Sequence, residues 1–175
     1  TVMPNFNGVW SLSTQYQYDS GWPKPDKTRA VFAGGAPDGD VVNVIQYRDL
    51  ATAGNFSDFG DLTVARRKVS GASSSTRGVF FTGDAGSTPI NTIDYITIAS
   101  TGNATDFGNL SAAYESHESA CSNTTRAVIQ GGQTGAGANI DNVEYITIGT
   151  TGNTTDFGNL SAIRRAPAGA GSVTR

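Results

Sequence analysis

The chain is poor in the residue types on which metal centres, disulfides and histidine-dependent catalysis rely. Among 175 residues it has one histidine, His117, one cysteine, Cys121, and one methionine. One cysteine cannot form an intrachain disulfide, so packing and hydrogen bonds have to hold the fold. One histidine excludes His-based metal clusters, and a Ser-His-Asp triad would have to use His117. We therefore expect no metal, no cofactor and no enzymatic activity.

Charge is also scarce. Charged residues make up 15% of the sequence, and twelve basic against fifteen acidic residues give a net charge of −3. Proteins that bind nucleic acid neutralise phosphates with a dense Lys/Arg surface, which this composition does not supply. No apolar run of 18 residues occurs, and the start, TVMPNFNGVW, lacks the basic and apolar regions of a secretory signal. We expect no nucleic-acid partner and no membrane insertion.

Glycine and small polar residues are abundant instead. The chain has 22 glycines and is rich in serine, threonine and asparagine, while hydrophobic residues reach 37%. This mixture is typical of short strands joined by frequent turns, whereas long helices need an Ala/Leu/Glu/Lys-rich composition that is missing here. The composition predicts an all-β protein.

One pattern of about fifty residues is written three times along the chain. A Thr-Arg pair opens each copy at Thr28-Arg29, Thr76-Arg77 and Thr125-Arg126, and the pair returns at Thr174-Arg175. This spacing is the period of kelch-type propeller blades, while WD40 blades are shorter. We expect a leader at residues 1–27 and a repeat domain at 28–175, with repeats at about 28–75, 76–124 and 125–173.

Each repeat predicts four short antiparallel strands. The first follows the arginine, as at Val31–Ala33, and ends at a glycine pair. The second alternates β-branched and aromatic residues, most clearly at Ile93–Ile98. Another follows a Gly-Asn turn and runs through Leu62–Arg66 in the first repeat. A strand of small residues, such as Ser70–Ser75, suits the crowded innermost position near a propeller axis.

The tripeptide Asp-Phe-Gly recurs once in each repeat. A similar tripeptide binds magnesium in protein kinases, but the lysine strand and catalytic loop that accompany it there are missing. The repetition at the period of the structural unit predicts a structural role, in which Asp caps a turn, Phe enters the space between sheets and Gly permits a bend. The positions are Asp58, Phe59, Gly60, Asp106, Phe107, Gly108, Asp156, Phe157 and Gly158.

The order R-x-V-F-x-G-G, loop, N-x-[IV]-[DE]-Y-I-T-I, turn, D-F-G-x-L-[ST] resembles the kelch-like repeats of marine bacteriophage virion proteins, cyanophage tail and fibre components in particular. The resemblance covers residues 28–175. Residues 8–23 are similar to a leader that precedes such repeats. The resemblance implies kelch-like β-propeller blades and a non-enzymatic role in a tail fibre or other appendage of the virion, with other virion proteins as partners.

Three repeats are fewer than the four to eight blades of an ordinary propeller. Three arrangements stay open. A second copy of the chain completes the ring as a homo-oligomer, further repeats of a longer chain complete it, or the repeats form an open array in a trimeric fibre. Paired arginines at Arg66-Arg67 and Arg164-Arg165 occupy equivalent positions, and we expect them to pair with acids of neighbouring repeats.

The polar stretches 36–42, 84–89 and 133–141 vary between repeats and predict surface loops that contact a host-surface glycan or protein. Their acids do not repeat with the spacing of a calcium site, so no metal is assigned to them. The candidate contact residues are Asp38, Asp40, Asp84, Ser87, Gln133 and Asn139.

Four further residues allow two interpretations each. Trp10 and Trp22 anchor the leader by burial or stack on sugar rings. His117 is a surface substitution or a binding and pH-sensing group, and Cys121 is a small buried residue or a nucleophile. Two other functions stay open: a secreted bacterial kelch-type lectin or scaffold, and a kelch-fold enzyme. A copper oxidase of that kind would need more Cys and His ligands than the chain holds.

Overall fold

The computed structural model describes residues 29–116, 119–164 and 167–171, and this part of the chain is built almost entirely of β-strands. The leader with Trp10 and Trp22, and also His117, lie outside the described residues. The only helical element among them is a single 3₁₀ turn at Pro37–Gly39, and none of their helices could cross a membrane. The strands are β1 (Arg29–Ala33), β2 (Val44–Asp49), β3 (Ser57–Asp61), β4 (Ser70–Ser73), β5 (Arg77–Asp84), β6 (Pro89–Thr97), β7 (Thr105–Ser116), β8 (Ser119–Ser122), β9 (Arg126–Thr134), β10 (Asn139–Thr147) and β11 (Thr155–Arg164).

The strands form two sheets with antiparallel pairing throughout. A small sheet has the order β1-β2-β3. A curled eight-stranded sheet has the order β11-β10-β9-β7-β6-β5-β4, and β8 pairs with β9 beside this path. The expectation of an all-β fold is confirmed.

The sequence repeat returns as a repeat of strand pairing. By strand pairing the second repeat is the meander β4-β5-β6-β7, the third is β8-β9-β10-β11, and the described part of the first is β1-β2-β3. The small-residue strands β4 and β8, which the sequence bounds place at the end of one repeat, therefore pair with the first strand of the next. Since side chains alternate along a strand, an identical register places the same residue types on the same face in every copy. In each repeat a valine of one strand pairs with the tyrosine of the next: Val31 with Tyr47, Val79 with Tyr95 and Val128 with Tyr145.

Two connections join successive repeats. The far end of β7 lies between β6 and β9, because Tyr114 pairs with Ile90 of β6 on one side and with Thr134 of β9 on the other. An isolated antiparallel bridge joins Arg67, which follows β3, to Asp84 at the end of β5. The second and third repeats therefore share one continuous sheet, while the first is attached through the shorter bridge.

The Asp-Phe-Gly tripeptide lies inside β3, β7 and β11, so the expectation of a turn at this point is wrong. Instead the register slips by one residue beside the glycine, as between Ile93 and Asp94 of β6 opposite Gly108. Such an extra residue is a β-bulge, which bends a strand without ending it. In the first repeat the strand ends at Asp61, and the predicted strand at Leu62–Arg66 has no regular structure.

The hydrophobic core lies between repeats rather than within them. One cluster combines Phe59 and Leu62 of the first repeat with Phe80 and Ile96 of the second. A larger cluster combines side chains of the second repeat with those of the third, Phe107 and Leu110 with Ile129 and Ile148 among them. Since each repeat buries its apolar side chains against those of its neighbour, the fold depends on stacking of successive copies.

Candidate interaction surface

A stack of arginine, tyrosine and phenylalanine recurs in every repeat and explains three of its repeated positions. The guanidinium carbon lies 4.3 to 4.5 Å from the centre of the tyrosine ring, within the range of a cation–π contact. The tyrosine meets the Asp-Phe-Gly phenylalanine edge to face, with ring centres 5.6 to 5.9 Å apart. The stacks are Arg29–Tyr47–Phe59, Arg77–Tyr95–Phe107 and Arg126–Tyr145–Phe157.

In the first two stacks the arginine also reaches the next repeat. Arg29 Nη1 donates to the carbonyl oxygen of Ile98 at 2.7 Å, and Arg77 Nη1 donates to that of Ile148 at 3.0 Å. Hydrogen bonds from a charged donor are stronger than neutral ones. The arginine therefore couples a repeat to the residue that follows β6 or β10 in its successor.

The backbone of the Asp-Phe-Gly segment is hydrogen-bonded to the backbone of the Gly-Asn turn of the next repeat. The amide of Gly102 donates to the carbonyl of Phe59, and the amide of Gly152 donates to that of Phe107, both at 2.7 Å. A β-carbon on Gly60 or Gly108 would collide with the carbonyl oxygen of the opposing turn glycine. Glycine is therefore required here for close approach as well as for the bulge.

A buried acid of the next repeat closes the first junction. Asp94 accepts hydrogen bonds from Thr63 Oγ1 at 2.7 Å and from the Thr63 amide at 3.0 Å, and it pairs with Arg66 Nη2 at 3.1 Å. Burial lowers the pKa of the Arg66 guanidinium, and the Asp94 charge opposes that shift. The expected pairing of Arg66 with a repeat acid is thus observed, with both side chains inaccessible to solvent.

Glu144 occupies the same place at the second junction and collects a larger set of donors. Ser111 Oγ and the Ser111 amide donate to it, Tyr114 Oη donates at 3.1 Å, and Asn142 and Thr154 also donate. Burial alone would raise the pKa of the Glu144 carboxyl, but these hydrogen bonds outweigh burial and hold its pKa below the ordinary value. Burial, together with the Glu144 charge, raises the pKa of Tyr114.

These polar clusters are therefore parts of the junctions between repeats. Both acids accept hydrogen bonds from the preceding repeat, and Glu144 accepts further ones from Asn142 and Thr154 of its own repeat. The equivalent positions 94 and 144 thus serve the same contact twice. Within the described ranges no three His, Cys, Asp or Glu side chains gather in a way that would hold a metal ion. Cys121 is half-buried in β8, among the small residues predicted for that strand.

The three predicted contact loops lie side by side along one edge of the molecule. A β-carbon on Gly86 would lie 4.0 Å from Val41 Cγ2, which joins the first loop to the second. A β-carbon on Gly135 would lie 2.6 Å from Pro89 Cγ, which joins the second loop to the third. We call residues 36–42, 84–89 and 133–141 together the rim loops.

Four of the six candidate contact residues are exposed on the rim loops: Asp38, Asp40, Ser87 and Asn139. Gln133 is half-buried and donates to the carbonyl of Gly137 at 2.8 Å.

The carboxylate of Asp84 is buried at the base of its loop. It accepts from Arg67 Nη2 at 3.0 Å and from the amide of Ser87. Burial raises the pKa of this group, but the hydrogen bonds from Ser87 and Arg67 and the nearby cations hold it below the ordinary value. Asp84 therefore shapes the loop that displays Ser87, whose φ of 105° is strained for a residue with a side chain.

Sequence reasoning missed the partners of the junction residues. Thr63, Asp94, Ser111 and Glu144 make contacts across 31 or 33 residues of sequence. All four stand in the repeat motif, but no single copy of the motif indicates that its acid position and its Ser/Thr position meet across a junction. The available signal was that these positions recur in the repeats. One position is an acid in two successive repeats and another is Ser or Thr in the repeat before each, which indicates a contact made once per junction.

Comparison with known proteins leaves the family open: no protein-family model matches the chain, and no curated protein sequence matches it significantly.

Proposed function

We propose that this chain is a non-enzymatic structural protein of a bacteriophage particle, part of a tail fibre or another external appendage. Its repeats serve as kelch-like propeller blades, which further copies of the chain extend, and its rim loops attach to glycans on the host surface. Support for the virion role comes from the repeat strings at residues 91–112 and 142–162, which are similar to those of marine phage virion proteins.

The arrangement of the rim loops is the observation that carries the attachment role. Three loops that differ in sequence are displayed along one edge, while the stacks and acids that recur hold the scaffold behind them. Exposed carboxylates at Asp38 and Asp40, a hydroxyl at Ser87 and an amide at Asn139 are groups that bind sugar hydroxyls. Loops on a rigid scaffold can vary in sequence without disturbing the fold.

Mass spectrometry of purified particles tests the virion role. We expect peptides of this chain among those of capsid and tail proteins, and we expect its gene beside theirs. Peptides found in the secreted fraction of a bacterium and missing from particles would favour the secreted kelch-type lectin instead.

Loop substitutions test the attachment role. A variant with four substitutions, Asp38→Asn, Asp40→Asn, Ser87→Ala and Asn139→Ala, should lower binding to a glycan array and to host cells at least about tenfold, the effect of losing about 1.4 kcal/mol of polar contacts. Asp106→Asn is the matched control, because Asp106 is an exposed acid at the opposite end of the second repeat. Unchanged binding of the loop variant would exclude the rim loops, and cell binding without glycan binding would point to a protein receptor.

A further inference from the structure

The two internal junctions use one set of contacts, and within the part of the chain that the structure describes, half of that set has no partner at each end of the array. At both junctions a phenylalanine carbonyl accepts from a turn glycine, an asparagine side chain accepts from the residue after the Asp-Phe-Gly glycine, and an arginine donates to a carbonyl of the next repeat. These contacts define what a third junction would require.

The third repeat presents the first half of the set without a partner among the described residues. Phe157 is 54% exposed, whereas the equivalent Phe59 and Phe107 are each 2% exposed. Nothing in the described part of the chain lies within 4 Å of a β-carbon built on Gly158, although its φ of 124° resembles the 145° and 146° at the two internal junctions. We call Arg126, Phe157, Gly158, Asn159 and Ser161 the tail face.

A cleft of about 260 Å³ opens beside the tail face. It lies between Arg126, Val128 and Phe157 on one side and residues 121–123 and Gly171 on the other. At the first internal junction the equivalent cleft beside Arg29 and Val31 is also lined by Phe80 and Ile98, which belong to the second repeat. Within the described residues, the tail face is therefore exposed at the place where the equivalent face of the first repeat is covered by the second repeat.

The first repeat presents the second half of the set. Leu50 is 68% exposed and Phe32 is 65% exposed, whereas Ile148 and Phe80 at the equivalent positions are 1% and 7% exposed. We call Phe32, Leu50, Gly54, Asn55 and Phe56 the head face.

The Gly-Asn turn of the head face already has the shape of a bound turn. The φ of Gly54 is 145°, close to the 153° of Gly102 and the 157° of Gly152, which are both engaged. Arg48 donates to the carbonyls of Thr52 at 3.1 Å and Ala53 at 2.6 Å and so holds this turn from its own repeat. A preorganised surface loses less conformational entropy when it binds.

We propose that the tail face of one copy docks on the head face of a second copy and repeats the internal junction contacts between chains. The Gly54 amide then donates to the Phe157 carbonyl, Asn55 Oδ1 accepts from the Asn159 amide, and Arg126 donates to the Leu50 carbonyl. This inference rests on the proposed assembly of several copies and specifies which residues of the two copies pair. It is independent of what the rim loops bind.

The new junction differs from the internal ones at its polar centre. Gln46 pairs with Asp58 of β3 as Asp94 pairs with Asp106 and Glu144 with Asp156, so Gln46 stands where the internal junctions have an acid. Ser161 and Arg164 would therefore meet a neutral amide rather than a carboxylate. A neutral acceptor binds a guanidinium more weakly than a carboxylate does, so we expect reversible, concentration-dependent association.

Two single-face variants of the full chain test the proposal. Phe157→Asp blocks the tail face and Leu50→Asp blocks the head face, and both side chains are exposed. Leu50→Asp should keep the melting temperature of the dilute wild-type protein, and Phe157→Asp should lower it slightly because the edge contact with Tyr145 is lost. By sedimentation, the wild-type mass should rise with concentration to two chains or more, and each variant alone should associate at least about tenfold more weakly. An equimolar mixture should form a complex of one copy of each, because one intact head and one intact tail remain.

Three results would overturn the proposal: wild-type protein that stays at the mass of one chain, variants that associate as well as wild type, or a mixture that stays monomeric. Wild-type protein would stay monomeric if residues 1–28 of the same chain cover the head face. If a blocked variant is misfolded by circular dichroism, Phe157→Ser and Leu50→Ser replace the pair. Glycan binding by the blocked monomers would show that the attachment role survives a failure of the docking proposal.

Discussion

The Glu144 carboxylate makes the stability of the second junction depend on pH. Because the hydrogen bonds lower its pKa in the folded state, the stabilisation is fully present above the ordinary glutamate pKa of about 4.3 and is lost as the pH falls through the lower folded-state value. Glu144→Gln should lower the free energy of unfolding at pH 7 by about 1–3 kcal/mol, since an amide cannot accept all the donors.

Urea denaturation of Glu144→Gln and wild type at a series of pH values measures this effect. The difference in free energy of unfolding between the two proteins should shrink as the pH drops below about 4.3, the ordinary glutamate pKa. Only the wild type has a carboxylate at position 144 that becomes protonated in this range. Asp40→Asn removes an exposed charge and serves as the control. A difference that stays constant into acid would show that the ionised form of Glu144 is not what stabilises the junction.

The two junction acids predict a rescue by paired substitution. Arg66 meets the shorter Asp94 at the first junction, and Tyr114 at the equivalent position meets the longer Glu144 at the second. Arg66→Tyr alone should cost about 3–5 kcal/mol, because it removes one partner of a buried ion pair. The double variant Arg66→Tyr/Asp94→Glu introduces the Tyr–Glu pair of the second junction, without the donors that Asn142 and Thr154 add there, and should regain part of that loss in urea denaturation. A double variant no more stable than Arg66→Tyr would mean that the two junctions are not interchangeable.

At the level of elements, the bulged strands predict a contrast between two equivalent glycines. Gly108→Ala should be destabilised by its positive φ, at about 1–2 kcal/mol, and in addition by collision with the Gly152 carbonyl. Gly158→Ala has the same kind of backbone but open space, so only the conformational cost applies. Urea denaturation in dilute solution measures both. Equal losses would contradict the close approach of β7 to the next turn.

How far sequence predicts these elements depends on where their determinants lie. Strand β6 was predictable, because the alternation at Ile93–Ile98 is a local signal. The bulge at Gly108 was not, because Asp-Phe-Gly satisfies turn chemistry equally well and only the pairing with β6 decides between them. For the same reason the strand predicted at Leu62–Arg66 was wrong: its residues find no strand to pair with, although Leu62 and Arg66 are buried at the junction.

For the molecule as a whole, three stacked repeats behave as a short linear array in which each unit is stabilised by its neighbours. Among the described residues the second repeat is covered on both faces, while no other repeat covers the head face of the first or the tail face of the third. Sequence predicted the stacking, since no single repeat can bury its apolar face alone. It could not predict which faces stay open, because Phe157 and Phe107 occupy equivalent positions and differ only in whether another repeat follows in the structure.

Hydrogen exchange of backbone amides should resolve this array, because local opening is rarest where most contacts must break. In dilute protein the amides of β6 should exchange more slowly than those of the equivalent strands β2 and β10, which belong to repeats with one open face. Raising the protein concentration should slow exchange in β2 and β10 and leave β6 unchanged, because docking of copies covers only the open faces. The Phe157→Asp variant should lose this dependence on concentration. Uniform exchange across the three strands at every concentration would mean that the repeats open together, and the nearest-neighbour description would then fail.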